Sequence, residues 1–129
     1  MRKILLLILT VSFIFSLLSC GVDYSKPATI DDVLLFNIQS DPEGADVHWR
    51  VSSDVPEVQS TNRAFLGTTP YSETRSLRIP GITEDNKEKV TVVIEVVKRG
   101  YNTAVERYNV KSILHDRRIS SKFQLSPIK

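Results

Sequence analysis

A tight turn between two alternating segments most constrains what this chain can fold into. Pro42 presets its own φ and Gly44 can adopt a positive φ, so the chain reverses sharply there. Apolar residues take every second position before the turn (Leu34, Phe36, Ile38) and after it (Ala45, Val47, Trp49, Val51). This period of two predicts two strands, each with one face in the core and one face in water.

Further strands are predicted along the rest of the chain. We expect them at residues 64–66, 71–79, 90–97, 102–111 and 119–125, with polar connections at 52–62 and 112–118. The strand at 90–97 is expected to be central, and Tyr108, Val110, Phe123 and Leu125 are expected to point inward. No segment combines helical periodicity with caps over the roughly 10 to 12 residues that a helix requires. The sequence therefore predicts an all-β fold, a small single-domain β-sandwich.

The N-terminus has the form of a secretory signal peptide. Arg2 and Lys3 provide a short positive region, and residues 4–18 are apolar except for three hydroxyl side chains. An apolar run of this length is too short to span a bilayer, which requires roughly 20 residues. Residues 1–19 are therefore predicted to be a removable signal peptide in front of the β-domain.

Residues 17–20 resemble the lipobox of bacterial lipoproteins, in which the cysteine is lipidated and the chain is cut in front of it. The resemblance implies that Cys20, the only cysteine, carries acyl chains such as palmitate and makes the membrane a partner. Residues 20–32 are then the lipidated cysteine and a tether. Gly21 stands where an aspartate favours inner-membrane retention in enteric bacteria. It therefore implies the outer membrane, on its periplasmic or its surface face, rather than the inner membrane.

The charge of the processed chain argues against a nucleic-acid partner. The 17 basic residues fall to 15 when Arg2 and Lys3 leave with the signal peptide, and these balance the 15 acidic residues. Residues 21–97 hold 13 acids and 7 bases, whereas residues 98–129 hold 2 acids and 8 bases. Either this basic C-terminal third faces an anionic envelope polymer or lipid, or the strands interleave and mix the signs.

Three short segments together are similar to the PEGA domain family. They are the turn Pro42, Glu43, Gly44, Ala45, then Gly67, Thr69 and Pro70, then Gly100 and Tyr101. The resemblance covers about residues 34–125 of a domain predicted at residues 33–129, and it implies a β-sandwich of the transthyretin or carboxypeptidase-regulatory type. Members occur on exported and surface proteins and have no established enzymatic activity. Residues 51–66 depart from the family as an insertion, which is either a longer hairpin or a contact surface of this protein.

The sequence offers no arrangement of residues typical of catalysis. No serine lies in a nucleophile-elbow pattern and no glycine-rich phosphate loop occurs, so we expect neither catalytic residues nor a cofactor. His48 is expected on a wet strand face, as a solvated residue or in a pH-sensitive ion pair with its neighbours. Asp41, Glu43 and Asp46 form either a solvated acidic turn or a weak calcium site, and we expect no metal.

Four residues are the candidates for binding: Pro56 in the insertion, Tyr71 after the second turn, and the Arg117 and Arg118 pair. Tyr71 is expected to be exposed, while Trp49 and the ring of Tyr101 are expected to pack inside. We expect a non-catalytic, membrane-anchored lipoprotein that acts as a protein-interaction or assembly module for another envelope protein. The alternative is a module that binds carbohydrate or peptidoglycan, a cell-wall polymer, through exposed aromatics and the basic third.

Overall fold

The computed structural model describes residues 29–129, which form seven strands, one α-helix and one 3₁₀ turn. The strands are β1 (Thr29–Asp41), β2 (Asp46–Ser53), β3 (Ala64–Thr68), β4 (Tyr71–Pro80), β5 (Val90–Val97), β6 (Ala104–Asn109) and β7 (Arg118–Gln124). The 3₁₀ turn is Lys87–Lys89 and the helix α1 is Val110–Asp116. The predicted signal peptide, Cys20 and most of the predicted tether lie outside the described residues.

The strands form two sheets. The three-stranded sheet has the order β4-β1-β7, with β1 antiparallel to β4 and parallel to β7. The four-stranded sheet has the order β3-β2-β5-β6, and all of its pairs are antiparallel. The prediction of an all-β fold is confirmed, and β5 is central in its sheet as expected.

The core lies between the two sheets. It takes buried residues from every strand except β6, among them Leu34, Phe36, Ile38, Val47, Leu77, Ile79, Val92, Ile94, Ile119 and Phe123. Fully burying a side chain of this kind contributes about 1.5–3 kcal/mol. Trp49, Tyr101 and Tyr108 are partly buried against this core, and Leu125 and Val110 are buried as predicted.

Two differences from the prediction exceed a shift of one or two residues at a strand end. β1 begins at Thr29, four residues early, because Thr29 and Ile30 pair with the last residues of β4. The expected polar connection at residues 112–118 is mostly helix α1, which has seven residues and is therefore shorter than a helix that periodicity can detect. The Asn109 side chain caps the helix by accepting from the Lys111 N–H, and Ile113 is buried underneath.

Candidate functional site

The turns at Pro42 and Pro70 join into one structure, which we call the motif corner (residues 40–45 and 67–71). The Gly44 N–H donates to the Thr69 carbonyl (3.0 Å), and the Thr69 N–H donates to the Ala45 carbonyl (2.8 Å). Gly44 has a φ of 82°, which favours glycine, and the peptide bonds before both prolines are cis. The backbone of one predicted motif is thus the hydrogen-bonding partner of the other.

The Thr69 side chain is the centre of the motif corner. Its hydroxyl oxygen accepts from the Ala45 N–H (3.0 Å) and lies 2.5 Å from the Ser40 hydroxyl. Ser40 donates its one hydroxyl hydrogen to the Pro42 carbonyl (2.8 Å), so Thr69 must be the donor to Ser40. Because Ser40 and Thr69 are both buried, each depends on the other for hydrogen bonding.

Tyr71 is buried at 6% exposure, so the prediction that it is exposed is wrong. The reason is Gly67: a Cβ at this position would lie 2.6 Å from the Tyr71 ring, and its absence leaves room for the ring to pack. The Tyr71 hydroxyl donates to Glu73, and the Arg75 guanidinium lies 5.9 Å from the ring centroid. Burial, followed by the hydrogen bond to Glu73, raises the pKa of Tyr71. Tyr71 therefore belongs to the fold and is withdrawn as a binding residue.

The third motif, Gly100 and Tyr101, closes the turn after β5. Gly100 has a φ of 85°, and the Tyr101 N–H donates to the Lys98 carbonyl (3.0 Å). The Lys98 ammonium lies 3.5 Å from the Gly44 carbonyl and so touches the motif corner. Tyr101 also forms an isolated bridge with Pro127, which holds the C-terminal segment against this turn.

The insertion is a firmly held loop. The Thr61 N–H donates to the Val51 carbonyl (2.9 Å), and the Asp54 N–H donates to the Lys89 carbonyl (3.3 Å). Val58 is buried at 3% exposure, which fixes the middle of the loop on the core. Pro56 is exposed, as a candidate binding residue should be. The loop is therefore anchored at both ends and in its middle, and its outer residues are exposed.

Beside this loop lies an aromatic and charged surface, which we call the loop face (residues 54–63 with His48, Arg50, Phe65 and Glu95). Phe65 is 59% exposed and meets the His48 ring edge-on, with the centroids 5.6 Å apart. Glu95 accepts from Arg50 and from Arg63, each at 3.4 Å. Exposed aromatics and arginines are the side chains that dominate binding at protein interfaces.

Two residues of the loop face behave differently from expectation. His48 lies on the outer face, where its ring contacts Phe65, and the His48 Nδ1 atom is buried without a hydrogen-bond partner among the described residues. Phe65 was missed because the segment at 64–66 is too short to reveal which residue faces out. The alternation with buried Leu66 was the available signal.

Arg117 and Arg118 are both exposed, at the junction of α1 and β7. Arg117 has a φ of 53° and ends the helix by donating its N–H to the Ile113 carbonyl (2.8 Å). Arg118 pairs with Leu35 of β1, so it lies on the outer face of the three-stranded sheet. The two are thus available but are remote from the loop, which belongs to the other sheet.

The basic C-terminal third lies at one side of the sandwich, where its outer strands β6 and β7 meet across the two sheets, and acids of the earlier chain lie among its bases. A cleft of about 460 Å³ beside α1 is lined by Lys87, Lys111, Ser112, Leu114, His115 and Asp116. Lys111 is hydrogen-bonded to Glu88, which holds the pKa of that carboxyl below its usual value. Lys87 pairs with Glu84 at 2.6 Å. Acids of the earlier chain thus neutralise bases of the cleft.

The acidic turn does not assemble ligands for a cation. Within residues 29–129 no group of three or more histidine, cysteine or acidic side chains is arranged to hold a metal ion. Asp41 instead accepts from the Gln124 amide (3.4 Å).

None of the helices in the described part of the chain has the length and apolar character needed to cross a membrane.

No protein-family model matches this chain, and comparisons with curated proteins and with solved structures return no match either.

Proposed function

We propose that this chain is a lipid-anchored protein of the bacterial cell envelope whose β-sandwich acts as a non-catalytic protein-interaction module. Its location rests on the lipobox-like residues 17–20 and on Gly21, which favours the outer membrane. Assignment to the PEGA family is part of the proposal. It is supported by the direct contact between the first two family-like motifs at the motif corner and by the Lys98 contact beside the third.

The exposure and composition of the loop face are the main support for the proposed interaction function. Phe65 exposes 59% of its surface on the outside of a sheet, at the end of a loop that is held by backbone hydrogen bonds. A rigid loop loses little conformational entropy on binding, and an exposed aromatic beside paired arginines has the composition of an interface centre. We therefore place the partner on Phe65, Arg63 and the exposed residues around Pro56.

A matched pair of surface variants tests this placement. Phe65→Ser removes the exposed aromatic. The control, Val105→Ser, changes a residue that is 46% exposed on β6, the strand at the opposite edge of the same sheet. Cross-linked envelope complexes are purified with the lipidated protein and quantified by mass spectrometry. We expect Phe65→Ser to lower the yield of one specific envelope protein at least about tenfold, as loss of a central interface residue does. Equal yields from both variants would contradict the placement.

The alternative function, binding of a cell-wall polymer, has less support because Tyr71, the aromatic residue expected to be exposed, is buried. Cosedimentation with purified cell wall at low salt separates the two functions. We expect no pelleting above the control without cell wall. Salt-sensitive pelleting that Arg117→Ser together with Arg118→Ser abolishes would instead favour a binder of anionic polymers.

The anchor is tested separately at Cys20. Cys20→Ala should leave an uncut precursor without acyl chains, seen as a larger band that no longer incorporates labelled palmitate. A variant that still matures and incorporates the label would refute the lipidation, while leaving the assignment of the loop face intact.

A further inference from the structure

β4 presents the longest open edge among the described strands. It has 10 residues, against five to seven for the other outer strands, and it pairs on one side only, with β1. No backbone hydrogen bond from elsewhere in residues 29–129 reaches residues 71–77 on the other side. Open strand edges are templates for pairing with another strand, and proteins usually protect them with lysine, proline or a bulge. Residues 71–77 contain no lysine, proline or bulge, and their two charges, Glu73 and Arg75, are opposite in sign.

The sequence of this edge is complementary to itself. Residues 71–77 read Tyr-Ser-Glu-Thr-Arg-Ser-Leu, a palindrome in chemical character centred on Thr74. If two copies of β4 lie antiparallel about Thr74, an apolar residue meets an apolar one (Tyr71 with Leu77), Ser72 meets Ser76, and Glu73 meets Arg75. The same three contacts occur twice, as two-fold symmetry demands.

The polar and charged side chains of this edge, residues 72–76, are exposed, whereas Tyr71 and Leu77 are buried in the core of each copy. Glu73 and Arg75 are 57% and 46% exposed and pair with each other at 3.5 Å along the same strand. Opposite charges directly across an antiparallel pair stabilise it, and like charges in the same position destabilise it. Ser72, Thr74 and Ser76 are exposed on the outer face, so no large side chain obstructs a neighbouring strand.

We propose that this protein forms a two-fold symmetric dimer in which β4 of one copy pairs antiparallel with β4 of a second copy, centred on Thr74. The two three-stranded sheets then become one six-stranded sheet, and the β4 edge of each copy is covered. Pro70 and Pro80 flank the paired segment, and since proline lacks an N–H, the pairing ends before them. The proposal depends neither on the lipid anchor nor on the loop face.

Cysteine cross-linking of the full chain in cell envelopes tests the register. In the dimer the two Thr74 Cα atoms are about 4.5–5.5 Å apart, which a disulfide can bridge. The two Ser72 Cα atoms are offset by four residues, or roughly 13 Å along the strand, which it cannot. We therefore expect Thr74→Cys to form covalent dimers on oxidation, Ser72→Cys to form none, and the Ser72→Cys, Ser76→Cys double variant to form them again. The unsubstituted chain is the control, since any covalent dimer that it forms must be linked through Cys20, its only cysteine.

Charge exchange tests the pairing by a second route. Arg75→Glu places Glu73 of each copy opposite a glutamate of the other copy. We expect the dissociation constant of the dimer, measured by analytical ultracentrifugation, to rise about tenfold. Glu73→Arg should do the same, and the double exchange should restore the dimer. Since Arg75 also reaches the Leu66 carbonyl (3.4 Å), circular dichroism must show that each variant is folded. Equal cross-linking of Thr74→Cys and Ser72→Cys, or no cross-linking of either, would overturn the proposal whatever the charge variants do.

Discussion

The two sides of the sandwich are closed by different kinds of contact. At the motif corner, backbone groups of two turns hydrogen-bond to each other, and the Thr69 hydroxyl completes the set. On the opposite side, which we call the helix side (α1 with residues 106–108 and Ser121), Glu106 accepts from the hydroxyl of Tyr108 on its own strand and from that of Ser121 on the other sheet. The corner thus depends on backbone geometry that a few residue types determine, whereas the helix side depends on particular side chains that meet.

The largest effect is expected at the motif corner. Thr69→Val keeps the shape of the side chain but leaves the buried Ala45 N–H without its side-chain acceptor and Ser40 without its donor. We expect the free energy of unfolding to fall by about 2–4 kcal/mol, since each buried group left unsatisfied costs about 1–3 kcal/mol. Urea denaturation followed by circular dichroism measures this loss.

The neighbouring Thr68 provides the control for this variant. It is exposed, so Thr68→Val should change the free energy of unfolding by no more than about 0.5 kcal/mol. Equal effects at the two positions would mean that the hydroxyl network of the motif corner does not stabilise the fold.

The contrast between the two sides also explains which parts of the fold were predictable. Pro42 and Gly44 predict the turn at residues 42–44, and the alternation of apolar and polar residues predicts the strands. Both signals are local, because each depends on only a few neighbouring residues. Helix α1 was not predictable, since only Val110 and Ile113 are buried in a segment that otherwise reads as polar.

The candidate site was predicted less well, because exposure depends on residues from other strands. The burial of Tyr71 follows from the missing Cβ of Gly67, on the far side of a turn. The exposure of Phe65 follows from the register of β3 against β2, which a five-residue strand does not reveal. Arg117 and Arg118 are on the surface, as expected of charged side chains, which are seldom fully buried.

A smaller effect, still at the motif corner, is expected from Gly67→Ala. The added methyl group would lie 2.6 Å from the Tyr71 ring, so the ring must move. Overpacking of this kind costs about 1–3 kcal/mol of unfolding free energy. Combining it with Tyr71→Leu, which removes the clashing ring atoms, should cost less than the sum of the two single variants, because the two positions are in contact. Additive costs in urea denaturation would show that the ring does not rest on Gly67.

The smallest effect is expected on the helix side and depends on pH. Burial, followed by the hydrogen bond to Glu106, raises the pKa of Tyr108 from 10.0 to about 12. Between these values the unfolded chain loses the Tyr108 proton while the folded protein keeps it, so the stability present below pH 10 declines as pH rises towards 12. Tyr108→Phe has no such proton, and its free energy of unfolding should fall less steeply across this range. If both proteins lose stability in parallel, the Tyr108 hydroxyl is not held at the helix side, and the two sides of the sandwich differ less than their contacts indicate.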